Sequence, residues 1–162
     1  MKEVITKEMD LDKVRKYIQD HPNAKIYAGC DSQRFKKGDK WHARFIACII
    51  VYEKDSNKIF AEISVDKDYD HNPGKPVMRL MNEVYKISSI IHEIQDVLEG
   101  RDFEMHLDIN PRKTEGSHCA FNQAVGYVLG VHGIKPVTKP DAWAASCVSD
   151  HLVRHKLSKE YK

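Results

Sequence analysis

At 162 residues and a net charge of +2, the chain fits one domain that can bury a core without disulfide or metal staples, and its composition alone makes no case for a nucleic-acid or membrane partner. The longest apolar run, Phe45 to Tyr52, is far too short to span a bilayer, and the opening MKEVITKEMD has no apolar signal region, so a cytoplasmic protein is expected. Cys30, Cys48, Cys119 and Cys147 form no CxxC pair, which excludes a zinc ribbon and reads as four reduced, mostly buried thiols.

In chain order the pattern predicts a helix over Leu11 to Gln19, a strand over Lys25 to Asp31 and a turn through KKGDK. Strands over Arg44 to Glu53 and Lys58 to Val65 follow, joined as a hairpin by KDSNK. The loop DYDHNPGKP opens a helix from Pro76 to Leu98, and Phe103 to Leu107 alternates like a half-buried strand. A helix over His118 to Val131, a short strand over Ile134 to Thr138 and a last helix from Pro140 complete the order. Three antiparallel strands followed by crossover helices imply an α/β mixed sheet of five strands with helices on both faces, in a single domain spanning 1–162. Residues 1–24 are expected to form an N-terminal helical extension outside the core fold, with no catalytic role.

Two of the predicted strands end in an aspartate. KIYAGCDS closes on Asp31, and HLDINP places Asp108 at a strand's C-terminal end just before a proline. That rim of an open α/β sheet is where ligands collect. One such aspartate is usually a turn former or a helix cap. Two in the same register are different: if the strands are parallel neighbours, the carboxylates meet over one rim and repel unless a proton or cation intervenes.

The helix from Pro76 supplies a third acid. Its apolar stripe is Val77, Leu80, Met81, Val84, Ile87, Ile91, Ile94 and Leu98, and at about 100° per residue Glu83 lies roughly 70° from the stripe's centre, within reach of the sheet. Glu93 and Asp96 lie roughly 150° away and face solvent. The bland alternative for Glu83 is a surface pair with Arg79 or Lys86.

Residues 34 to 44, RFKKGDKWHAR, hold Arg34, Lys36, Lys37, Lys40 and Arg44 against one Asp, with Phe35 and Trp41 interleaved, and the tail adds Arg154, Lys156, Lys159 and Lys162. Such clusters neutralise phosphates, and a solvated hairpin tip looks the same in sequence. Lys113 and Lys139 flank the rim strands as candidates to hold a phosphate, and Ser32 and Ser146 sit beside acids as candidate orienting donors. Cys147, His151 and His155 recur every four residues, which reads as a buried thiol and two surface imidazoles rather than a metal stripe.

The order strand-Asp, two antiparallel strands, helix-Glu, strand-Asp and late helix-Asp resembles the ribonuclease H-like (retroviral integrase) superfamily. GCDSQ, HLDINP and KPDAWAASCVSDHLVRH are closest to its YkuK-type predicted nucleases. The resemblance covers about Lys25 to His155 and implies a catalytic and metal-binding set of Asp31, Glu83, Asp108 and Asp150. It also implies phosphodiester hydrolysis by two Mg²⁺ or Mn²⁺ ions, one activating water and one stabilising the leaving 3′-oxygen. Asp31 would bridge both ions, with Glu83 and Asp108 on one and Asp150 on the other. Asp141 and Asp150 are nine residues apart, so on one helix they point about 180° apart. Asp141 reads as a first-turn acid, and Asp150, beside Trp143, Ser146 and Cys147, faces the sheet. The implied partner is nucleic acid, whether RNA/DNA hybrid, RNA or structured DNA, with the oligomeric state open. A non-catalytic nucleic-acid-binding or protein-interaction module on the same fold is the alternative.

Overall fold

The computed structural model describes residues 8–144 and 146. Helix α1 (Leu11–Asp20) leads into β1 (Lys25–Lys37), β2 (Lys40–Glu53) and β3 (Ser56–Lys67), followed by α2 (Val77–Glu93), α3 (Gln95–Leu98), β4 (Phe103–Leu107) and α4 (Phe121–His132). Among the described residues the strands form one four-stranded sheet in the order β3-β2-β1-β4. β1–β2 and β2–β3 are antiparallel, and β1–β4 is parallel.

The sheet is mixed as expected but has four strands, not five. The predicted strand over Ile134 to Thr138 contributes only a parallel bridge, His106 to Val137, on the far side of β4. Val137 exchanges backbone hydrogen bonds with Met105 and Leu107 at 2.9 and 2.8 Å.

β2 carries the continuous apolar run of a strand covered on both faces. Ala43, Phe45, Ala47, Ile49 and Val51 join Ile26, Ala28 and Cys30 of β1 and Leu80, Val84, Ile87 and Ile91 of α2 in the main core, which also takes Val14 and Ile18 of α1, so this helix packs into the core and is not the outlying extension expected. On the opposite face Ile46, Cys48, Ile50 and Ile63 pack with Ala144. Cys30 and Cys48 are buried thiols and Cys119 is half-buried. No helix among the described residues is long and apolar enough to cross a membrane.

Three boundaries differ from the sequence reading. β1 and β2 run on to a two-residue turn at Gly38 and Asp39, where Gly38 takes φ 65°, so the strands expected to end at Asp31 and to begin at Arg44 extend through the basic segment. The helix predicted through Leu98 breaks at Ile94, where Arg15 of α1 donates to the Glu93 carbonyl. The last helix begins after Pro140 and Asp141, which lie in a turn where the Asp141 and Ala142 N–H groups both donate to the Thr138 carbonyl at 3.0 Å. Cys147, Asp150, His151, His155 and the basic tail lie outside the described residues.

Candidate metal centre

The parallel register of β1 and β4 runs from Ile26–Phe103 to Cys30–Leu107, so Asp31 and Asp108 each follow the last pair. Asp31 is not at the end of its strand, as the sequence reading had it: β1 continues for six more residues paired only with β2. The parallel ladder nonetheless stops at the expected place, and that is what brings the two carboxylates to one rim. Glu83 comes from α2, and ligand oxygens of Asp31, Glu83 and Asp108 all lie within 4.8 Å of one another.

Glu83 is 4% exposed, which no surface pair would require. Its Oε2 accepts the Ser32 hydroxyl, and Arg79 Nη1 stands 3.9 Å away. The same Arg79 nitrogen donates to Ser32 Oγ at 2.7 Å and to the Ser32 carbonyl at 3.3 Å. The Ser32 N–H in turn donates to Asp31 Oδ1 at 2.9 Å. Ser32 thus touches two of the three acids. Burial pushes the Glu83 carboxyl well above the usual carboxylate range; the Ser32 hydrogen bond and Arg79 oppose that, and the charges of Asp31 and Asp108 add to it.

Arg79 is placed by a cap the sequence analysis did not assign. Asp70, from the loop before α2, accepts the Met78 and Arg79 backbone N–H groups at 2.8 Å each. The next loop over, after Asp108, packs against this one so closely that a Cβ at Gly116 would collide with the Gly74 carbonyl. Both loops beside the acids are therefore tied to one another.

Lys139 lies at the site: its Nζ is 2.9 Å from Asp108 Oδ1. Lys113 is exposed on the loop after Asp108. Ser146 is half-buried and lines a small depression with His106, Asp108 and Trp143. Arg34 is drawn away from solvent into an ion pair with Asp68, whose side chain is only 1% exposed, and its guanidinium lies 4.1 Å over the Trp41 ring. Lys36, Lys37, Lys40 and Arg44 line the β1–β2 hairpin, Lys36 beside Trp41 and the other three on the opposite side. Asp150 lies outside the described residues.

His106, two residues before Asp108, carries no role in the sequence reading, yet it is 2% exposed and fully bonded. Its Nδ1 accepts the backbone N–H groups of Trp143 and Ala144 at 3.1 and 3.2 Å, and its Nε2 faces Glu104 Oε1 at 3.1 Å. Two donors at Nδ1 fix the proton on Nε2. The signal was present in the strand's period of two, which puts Glu104, His106 and Asp108 on one face.

Three acids from three elements, with neither His nor Cys among them, offer oxygen ligands to a hard divalent cation. A cation would also offset the charges of Asp31 and Asp108 that add to the effect of burial on Glu83. A family model described as ribonuclease H-like matches residues 10–154. No curated protein and no solved structure matches the chain.

Proposed function

The chain belongs to the ribonuclease H-like family, of YkuK type, and from that premise we propose that it is a divalent-metal-dependent nuclease that hydrolyses phosphodiester bonds with two Mg²⁺ or Mn²⁺ ions. The observation that carries the reading is the convergence of Asp31, Glu83 and Asp108 within 4.8 Å from a strand, a helix and a second strand. These three acids would hold the ions, and Asp150 is proposed as the fourth ligand. When bound, the ions supply an acidified water as nucleophile and charge stabilisation at the leaving oxygen.

The chain's own residues prepare that chemistry. Ser32 and Arg79 hold the Glu83 carboxyl in place, so no side-chain search is needed when the cation arrives. The Lys139 ammonium on Asp108 is within reach of a phosphate brought to that acid, and it offers a compact positive charge there. No protein nucleophile is required.

The test is a cleavage panel of labelled RNA/DNA hybrid, duplex, junction and single-stranded substrates with Mg²⁺, with Mn²⁺ and with EDTA. Cleavage of at least one substrate that EDTA abolishes supports the reading. Metal-independent binding without cleavage of any of them would move the protein to the class of non-catalytic modules.

A further inference from the structure

The hairpin that continues past the acids has two unlike faces. Alternation along the antiparallel register puts Ser32, Arg34 and Lys36 with Trp41 and Ala43 on the α2 side. Asp31, Gln33, Phe35 and Lys37, with Lys40, His42 and Arg44, lie on the other side. The α2 side is spent on structure: Arg34 is paired with Asp68 and stacked on Trp41, Lys36 Nζ is 5.8 Å from the same ring, and Asp68 accepts the N–H of Asp70, the residue that caps α2.

The other face differs among the described residues. Lys37, Lys40 and Arg44 form no ion pair among the described residues, and Arg44 Nη2 reaches only Gln33 Oε1 at 3.4 Å. Between the lysines and the arginine, the half-buried rings of Phe35 and His42 stack with centroids 5.7 Å apart and planes 24° apart. Asp31, Gln33 and Arg44 then line a single shallow depression with Ser32 and Ile46. From the acid cluster outward the order is therefore acid, arginine with amide, aromatic pair, two lysines.

We propose that this face is a binding track for an unpaired polynucleotide strand leading to the acid cluster; the proposal rests on the nuclease reading and names its substrate class. At roughly 3.3 Å per residue, Asp31 to Lys37 spans about 20 Å, enough for a few nucleotides. Arg44, Lys37 and Lys40 meet the phosphates, and the Phe35–His42 pair takes a base. Cations alone would serve a duplex equally well, but an aromatic pair is useful only to a strand whose base faces are uncovered.

The experiment measures fluorescence anisotropy of short labelled single strands, and of the same strands annealed to their complements, in EDTA so that no cleavage occurs. The single strand should bind more tightly than the duplex. Phe35→Ala with His42→Ala should weaken single-strand binding about tenfold or more and leave duplex binding unchanged. Lys40→Ala with Arg44→Ala should flatten the salt dependence of binding by about 1.4 in log–log slope, two phosphates' worth, whereas Lys36→Ala should not flatten it. Tighter duplex binding, wild-type strand affinity in the aromatic variant, or a slope that responds to Lys36 and not to Lys40 and Arg44 would each overturn the track. The charge variant is confined to a half-exposed and an exposed side chain, so the slope remains readable even if the aromatic variant fails to fold. A wild-type protein that binds the strand in this manner yet cuts nothing with Mg²⁺ or Mn²⁺ refutes the nuclease reading alone. One that cuts while the aromatic variant binds normally refutes the track alone.

Discussion

The parallel strands β1 and β4 carry two clusters of ionisable side chains a few residues apart, and they are balanced in opposite ways. In the first, Lys25 pairs with Glu104, Glu104 accepts from His106, and His106 accepts two backbone N–H groups where the last helix begins. The hydrogen bond with Lys25 lowers the Glu104 pKa and the same bond raises that of Lys25, while burial lowers that of His106. Each group there has a partner of matching character supplied by the chain. In the second, Asp31, Glu83 and Asp108 converge with like charge, with Arg79 beside Glu83 and Lys139 beside Asp108. The same fold that pairs one polar cluster internally gathers in the other three acids whose oxygens could hold a cation.

The comparison breaks most sharply if the acids are removed. Asp31→Asn and Asp108→Asn each delete a proposed metal ligand without changing shape, so both should abolish cleavage with little change in the circular dichroism spectrum. Retained activity in either would return that residue to the ordinary role of a strand-end acid.

The next effect concerns the segment from Pro140 onward. Asp150→Asn should cripple cleavage and weaken Mn²⁺ binding measured by calorimetry, whereas Asp141→Asn, in an exposed turn before the helix, should cost little stability and no metal affinity. The reverse pattern would exchange the two aspartates.

A third effect separates the clusters by pH in the absence of metal. Burial above all raises the Glu83 pKa over its ordinary value of 4.5, so the proton stays bound in the folded chain at a pH where the unfolded chain has lost it. The stability this contributes is fully present below about pH 4.5 and is lost as pH rises through the folded pKa. Urea titrations in EDTA should therefore show wild type losing stability relative to Glu83→Gln as pH is raised. A difference between the two proteins that does not change with pH would mean that Glu83 is not held protonated.

The smallest effect belongs to the balanced cluster. His106→Ala removes the acceptor of two N–H groups and should cost about 1–3 kcal/mol, read by urea denaturation. His106→Asn can place its Oδ1 where Nδ1 was and should recover part of that loss. Equal losses would assign His106 to packing against Tyr27 and Trp143 alone.

What the sequence made legible follows local periodicity. The strand alternation ahead of Asp108 and the 100° arithmetic that turned Glu83 inward both depend on neighbours in the chain, and the structure brings those two acids together with Asp31. The outer parts of β1 and β2 were invisible because QRFKKGDKWHAR has polar residues on both faces and hence no alternation to detect. The break at Ile94 lies where Arg15, far away in sequence, meets the Glu93 carbonyl, while the apolar stripe runs straight through it. Arg34 looked like a phosphate contact because nothing local reveals that Asp68 is buried against it. Long-range partners, not composition, decided each of these.

The most direct test of the metal site is anomalous diffraction from crystals soaked in Mn²⁺. The account predicts a peak among Asp31, Glu83 and Asp108, with carboxylate oxygens about 2.1–2.2 Å from it, the range for small divalent ions on oxygen. Mn²⁺ bound elsewhere, or the Asp31 and Asp108 carboxylates more than about 8 Å apart with Mn²⁺ present, would contradict it, since no single ion can reach both across that gap.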